Sequence, residues 1–201
     1  MSLHPDKARF KVRIEQFIIA ELWRRLCVEF AAAQTIVWDC PVPGGCTLKS
    51  PDFLLKFLAF YLQLEIDEHG HDDRSCADED TRLAIIAADV DLPGVIVRLN
   101  PDVKGFACFR TKQLSNGQKV FDAVEEHFTC LMDKAEQEIR KHLTNPPTEL
   151  LRVFIDADPA SGIQVSRVWA DEANAEARSI AKRNRLRLMI QKTKRFFTFR
   201  T

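Results

Sequence analysis

Asp52, Glu65 and Asp67 are the residues whose types and spacing could do chemistry. Read as two strands, 52–57 and 61–67, this stretch puts Asp52, Leu54 and Lys56 on one face of the first strand, because side chains alternate. On the second strand Gln63, Glu65 and Asp67 share a face, and Leu62, Leu64 and Ile66 take the other. Paired as a hairpin, the strands bring Asp52 towards Glu65 and Asp67. Three converging carboxylates repel one another unless a cation binds or protons are shared. Hard oxygen donors with room for water suit Mg²⁺ or Mn²⁺. Such an ion lowers the pKa of a bound water and stabilises charge on a phosphate. His69 and His71 follow at once, and either could act as general base or as a ligand. A solvated acidic turn at the end of a strand would have the same spacing.

These side chains need a scaffold. Phe10 to Ala33 reads as a long amphipathic helix, with Phe10, Ile14, Phe17, Ile18, Leu22 and Leu26 at three- and four-residue steps. Thr35 to Trp38 is extended, and Pro-Val-Pro-Gly-Gly (41–45) is a turn. The middle of 52–67 has no Gly, Pro, Asn or Asp, so periodicity alone allows a buried helix or two buried strands with a turn near Leu58 to Tyr61. Ser75 can cap a helix over 77–88, with Asp78, Glu79 and Asp80 favoured in its first turn by the helix dipole. Val95 to Leu99 reads as a buried strand, 102–117 as a loop and Val120 to Leu143 as a second long helix. Leu150 to Ile155 and Ile163 to Val168 read as strands, and Ala170 to Ile190 as a helix with a basic end. Trp23, Trp38 and Trp169 are expected in the core.

The chain has 201 residues, 46% hydrophobic and 29% charged, which suffices for a real core. No apolar run reaches the length of a membrane span. The start, MSLHPDKARF, lacks a signal-peptide pattern, so an intracellular chain, cytoplasmic or nuclear, is expected. Six cysteines are too sparse for a disulfide scaffold, and most are expected as buried thiols. Net charge is zero, 29 basic against 29 acidic, but unevenly spread. Residues 65–91 hold ten acids and two basic residues, whereas 177–201 hold nine basic residues and no acid. A neutral total is therefore compatible with a polyanionic partner.

The runs VWDCPVPGGCTLKSPDFLLKF, LQLEIDEHGH, SCADEDTRL and VIVRLNPD, in that order, resemble a group of proteins common in large DNA viruses and algae. That group belongs to the PD-(D/E)xK nuclease superfamily and is similar to the very-short-patch repair endonucleases. The shared elements are Gly44-Gly45-Cys46, Pro51-Asp52, the segment from Glu65 to His71, Cys76 with Glu79 and Arg82, and Val97 to Asp102. They span residues 36–130, about half the chain. The resemblance implies a restriction-endonuclease-like α/β fold and a Mg²⁺- or Mn²⁺-dependent endonuclease acting on DNA. It places Asp52 and Glu65 on the metal, puts Asp67 where the superfamily usually has lysine, and gives His71 a part in proton transfer. Asp67, clustered with Asp52 and Glu65 by strand alternation, is the third candidate ligand. Lys56, on the strand face of Asp52, is a candidate for the missing cation. Thr81 stands where a lysine is usual, and the basic residues that usually flank the Pro-Asp pair are reduced to Lys49. These departures leave room for an alternative: an inactive nuclease-fold module that binds nucleic acid or a protein.

The expected architecture is α/β. An N-terminal helix packs on a small mixed sheet from 36–39, 52–57, 61–67 and 94–99, and the helix at 77–88 covers that sheet. A nuclease-like core over 1–147 is followed by a basic α+β extension over 148–201. In that extension Arg183, Arg185, Arg187, Lys192, Lys194 and Arg195 are candidate phosphate contacts, interleaved near the end with Phe196, Phe197 and Phe199. A basic solvated face would look the same. Cys40, Cys46, His69, His71 and Cys76 fit none of the common zinc spacings. No Walker loop, GxGxxG or GxSxG occurs, so P-loop hydrolysis, a dinucleotide cofactor and an α/β-hydrolase lose support.

Overall fold

The turnless apolar stretch after Asp52 forms two strands, β2 (Phe53–Lys56) and β3 (Tyr61–Ile66). In place of a Gly or Asp turn, the Phe57 amide donates to the Phe60 carbonyl at 2.9 Å, and the two rings stack 4.7 Å apart. Burial of aromatic surface thus closes a hairpin that has no turn chemistry. The computed structural model describes residues 14–67, 76–103, 106–115, 119–158 and 162–169.

Before this hairpin come helix α1 (Ile14–Phe30) and strand β1 (Thr35–Trp38). After it come α2 (Cys76–Val90), β4 (Gly94–Asn100), the short strands β5 (Asp102–Val103), β6 (Phe106–Ala107), β7 (Phe109–Gln113) and β8 (Lys119–Ala123), α3 (Glu125–Thr144), β9 (Leu151–Asp158) and β10 (Gly162–Trp169). Among the described residues the main sheet has six strands in the order β1-β2-β3-β4-β9-β10. β1, β2 and β3 form an antiparallel meander, β3, β4 and β9 run parallel, and β10 returns antiparallel. The fold is mixed α/β, as expected. The sheet is larger than expected, because β9 and β10, from the segment assigned to the extension, continue it.

Alternation along the strands sorts the core into two halves. Phe53, Leu55, Leu62, Leu64, Val97 and Val153 pack with α1 and α3 on one face. Leu54, Tyr61 and Ile96 pack with Leu83, Ile86 and Val90 of α2 on the other. Edge strand β10 is tied to α3 by Arg167, which donates to both oxygens of buried Glu138 at 2.5 and 3.2 Å.

Several expectations need correction. The segment 119–123 is a strand, and α3 starts at Glu125, because Phe121 and Ala123 alternate onto the core before the helical period begins. The expected loop 102–117 contains β5, β6 and β7. Trp23 and Trp38 are not core residues; they remain 37% and 46% exposed and pack edge-on against buried Phe53. The side chain of Trp169 lies outside the described residues. Cys27, Cys40 and Cys130 are exposed, and among the described cysteines Cys108 alone is buried, which pushes its thiol up to about 12. The expected helix at 170–190 also lies outside the described residues.

Gly94 opens β4 beside Tyr61, whose ring lies where a Cβ would project. Because Tyr61 is fully buried, it has no room to withdraw. Gly94→Ala is therefore expected to destabilise the fold by ~1–3 kcal/mol, the usual cost of overpacking. Urea unfolding would show it as a lower midpoint at unchanged slope.

Candidate functional site

The α2 face of the sheet is apolar at one end and polar at the other. Leu54, Tyr61 and Ile96 fill the apolar end, Gln63 and Arg152 sit level with Ile96 on the same strand face, and Glu65 and Arg98 follow towards the C-terminal ends of β3 and β4. Residues at the start of α2 close over this end, since the helix returns antiparallel to the strands it connects. In open α/β sheets ligands bind outside these strand ends.

Register places Asp52 opposite Glu65, because Phe53 pairs with Leu64. The Asp52 carboxylate accepts from the Ile66 amide, 2.8 Å from Oδ2. Glu65 is 2% exposed. The Gln63 amide donates to its Oε1 at 2.7 Å, and Arg82 pairs with its Oε2. Arg82 also holds buried Glu79 on its own helix, Nη2 to Oε1 at 2.6 Å, and donates from Nη1 to the Ser50 carbonyl at 2.7 Å. One guanidinium thus ties together the loop before β2, strand β3 and helix α2.

The loop is also fixed at its start. Asp89 of α2 accepts from the Cys46 amide at 2.8 Å, the Thr47 amide at 3.2 Å and the Thr47 hydroxyl. Gly44 has a left-handed φ of 79°, and a Cβ on Gly45 would meet Asp89 at about 3 Å. The Gly-Gly-Cys turn therefore docks on α2 and sets the approach of the chain to Asp52.

The expected cluster of three carboxylates is two plus one. Asp52 and Glu65 face each other, while Asp67 accepts from Arg98 Nη2 at 2.9 Å on both oxygens. Among the described residues no group of three or more His, Cys, Asp or Glu side chains is placed to hold a metal ion. Lys56 is not brought to the cluster. It pairs with Tyr61 at the far end of the hairpin, and its ammonium reaches the Val90 carbonyl at 3.4 Å. Among the described residues the cation on the carboxyl pair is Arg82. His71 and the basic set Arg183, Arg185, Arg187, Lys192, Lys194 and Arg195 lie outside the described residues. So does the side chain of Cys76.

Burial dominates the electrostatics. It raises the pKa of Asp52, against the Ile66 amide and Arg82, which lower it. Glu65 is pushed up to about 7 by burial and by the facing Asp52, again against Arg82 and Gln63. Burial disfavours the charged form of Arg82, but Glu79 and Glu65 outweigh it and raise its pKa. Asp156, near Asp67 and Arg98 on the neighbouring strand, is also raised, mainly by burial.

Sequence reading found Asp52, Glu65 and Asp67 but assigned no role to Gln63, Arg98 or Arg152, and noted Arg82 only as part of a motif. The available signal was polar residues at alternate positions in strands that are otherwise apolar. No family model and no curated protein matches this sequence. Among the described residues no helix is long and apolar enough to cross a membrane.

A carboxyl whose pKa rises on folding binds its proton more tightly in the folded state, so its contribution is present below the unfolded value and lost as pH rises through the folded one. For Glu65 that window runs from 4.5 to about 7. At one unit to about 1.4 kcal/mol, the loss is on the order of 3–4 kcal/mol. With chelator present, Glu65→Gln is expected to flatten the fall in melting temperature between pH 5 and 8. An unchanged pH profile would mean that Glu65 is ionised throughout.

Proposed function

We propose that the chain is a metal-dependent nuclease that hydrolyses phosphodiester bonds in DNA. The observation that carries this reading is the pair Asp52 and Glu65: a buried carboxyl faced by a half-buried one across a hairpin at the C-terminal end of β3, with the pKa of each raised. The donor set suits a hard divalent cation, Mg²⁺ or Mn²⁺, held by Asp52 and Glu65. Such an ion, when bound, would supply an acidified water and charge stabilisation at the phosphate.

The chain's own residues divide the remaining work. Asp52 is held by the Ile66 amide and oriented towards Glu65. Gln63 fixes the Glu65 carboxyl from the side away from Arg82. Arg98 draws Asp67 aside and leaves the first two carboxyls as the primary donors. His71 is the proposed proton carrier by resemblance, and the basic residues at 183–195 are the proposed phosphate contacts.

The test is cleavage of plasmid and single-stranded DNA with Mg²⁺, with Mn²⁺ and with chelator. The wild type should cut only with metal. Glu65→Gln should lower the rate at least ~100-fold while sparing DNA binding, because metal positioning and water activation fail as a unit. Undiminished cleavage in that variant would remove the assignment.

A second reading has its own support: Arg82 holds Glu65 in an ion pair, and the described side chains form no ready metal cage. A nuclease-fold module that binds nucleic acid or a protein partner without cutting is compatible with both. Binding without cleavage across all substrates and metals would establish it. Either reading draws affinity from the basic segment. Replacing Arg183, Arg185 and Arg187 together by Gln should weaken DNA binding. Its dependence on log salt should flatten by about 0.9 for each phosphate that is no longer neutralised. An unchanged salt slope would make these arginines a solvated face.

A further inference from the structure

The geometry points to Arg82 as a built-in surrogate cation: its guanidinium occupies the position on Glu65 that a divalent ion takes, so the ion binds by displacing it. This rests on the metal-dependent reading above and adds how entry to that site is controlled.

Three observations carry it. First, Arg82 contacts Glu65 and Glu79 directly, and its charge also acts on Asp52. A metal on Glu65 and the Arg82 Nη2 on Glu65 Oε2 compete for the same lone pairs. Second, Arg82 has somewhere to stay when it lets go. Its Nε lies 3.0 and 3.1 Å from the two Glu79 oxygens, and its Nη1 donates to the Ser50 carbonyl. Release of Glu65 therefore leaves the guanidinium anchored beside the site. Third, and independent of the acids, Gln63 is fully buried and its Oε1 has no hydrogen-bond partner among the described residues, although its amide nitrogen is bound to Glu65. A buried carbonyl oxygen without a donor is a costly arrangement. Beside two carboxyls, it is an acceptor suited to a cation or to one of that cation's waters.

The consequence is a trade. Without metal, Arg82 keeps the buried carboxyls partnered and the fold intact. With metal, the ion must outbid an internal guanidinium, so its apparent affinity is lowered by the strength of the Arg82–Glu65 contact.

The test uses the full chain and Mn²⁺ alone, read by thermal melting and by direct Mn²⁺ titration, in the wild type, Arg82→Lys, Arg82→Met and Asp52→Ala. A lysine keeps the charge but cannot hold Glu65, Glu79 and the Ser50 carbonyl together. Without metal, both Arg82 variants should melt below the wild type. With Mn²⁺, they should gain more in melting temperature and bind the ion at least ~10-fold more tightly, the scale of one displaced hydrogen-bonded contact. Both gains should vanish when Asp52→Ala is added. As a check free of variants, Mg²⁺ should shift the Arg82 guanidinium nitrogen signals of the wild type in NMR spectra. Equal Mn²⁺ affinity in wild type and Arg82→Lys, or guanidinium signals unmoved at saturating Mg²⁺, would overturn the inference while Asp52-dependent binding kept the metal reading. Absence of any Asp52-dependent Mn²⁺ binding would overturn both.

Discussion

A guanidinium inside a nest of buried carboxyls is the constraint on which the site depends. Arg82 contacts the Ser50 carbonyl before β2, Glu65 on β3 and Glu79 on its own helix. These points are far apart in sequence and are brought together only by the crossover from β3 through α2. A charge removed from water must find partners, or its desolvation penalty unfolds the region. The helix therefore cannot slide or rotate on the sheet without stripping Arg82 of a partner. The same contact fixes the loop that delivers Asp52. The position of the carboxyl pair and the docking of α2 are one structural fact.

The two ends of the α2 face follow from this division of labour. At the apolar end Tyr61, Leu54 and Ile96 bury against Leu83, Ile86 and Val90, and non-directional hydrophobic burial supplies the adhesion. At the polar end Arg82, Arg98 and Arg152 each meet a carboxylate from a neighbouring element: Glu65, Asp67 and Asp80. Here geometry is directional, and each arginine selects a register. The apolar half holds the helix down, and the polar half decides where it sits.

How much of this was legible in the sequence depended on the period of the signal. The alternation of Leu62, Leu64 and Ile66 with Gln63, Glu65 and Asp67 was enough to assign faces and to place Asp52 opposite Glu65. The turn at 57–60 was not marked, because stacking of Phe57 on Phe60 replaces the usual turn residues, and such stacking is a tertiary event. The helical reading of 120–143 takes in 120–123 because the apolar residues there adjoin a strongly helical run. Lys56 was placed correctly by face but not by distance. Four residues of extended chain separate it from Asp52, which at about 3.3 Å each puts the ammonium's origin at the opposite end of the strand. Arg82 was visible as a residue and not as a partner, since ion pairing across a crossover leaves no local trace.

The charge balance at the polar end argues against a purely structural reading. A buried ion pair is a weak source of stability, and apolar residues of similar volume would often serve as well or better. A structural network would at least match acids to bases. Around Arg82 the described side chains do the opposite: Asp52 faces Glu65 with burial driving both towards protonation, and Gln63 presents a buried oxygen to no donor. Each of these features raises the free energy of the folded chain at neutral pH, and none improves packing. Residues that break the local rules of a stable core in one place, at the C-terminal ends of parallel strands, are the pattern expected where a site has been kept at the expense of stability. The cost falls on Glu65 above all, the most buried of these carboxyls, whose pKa burial and the facing Asp52 push up to about 7.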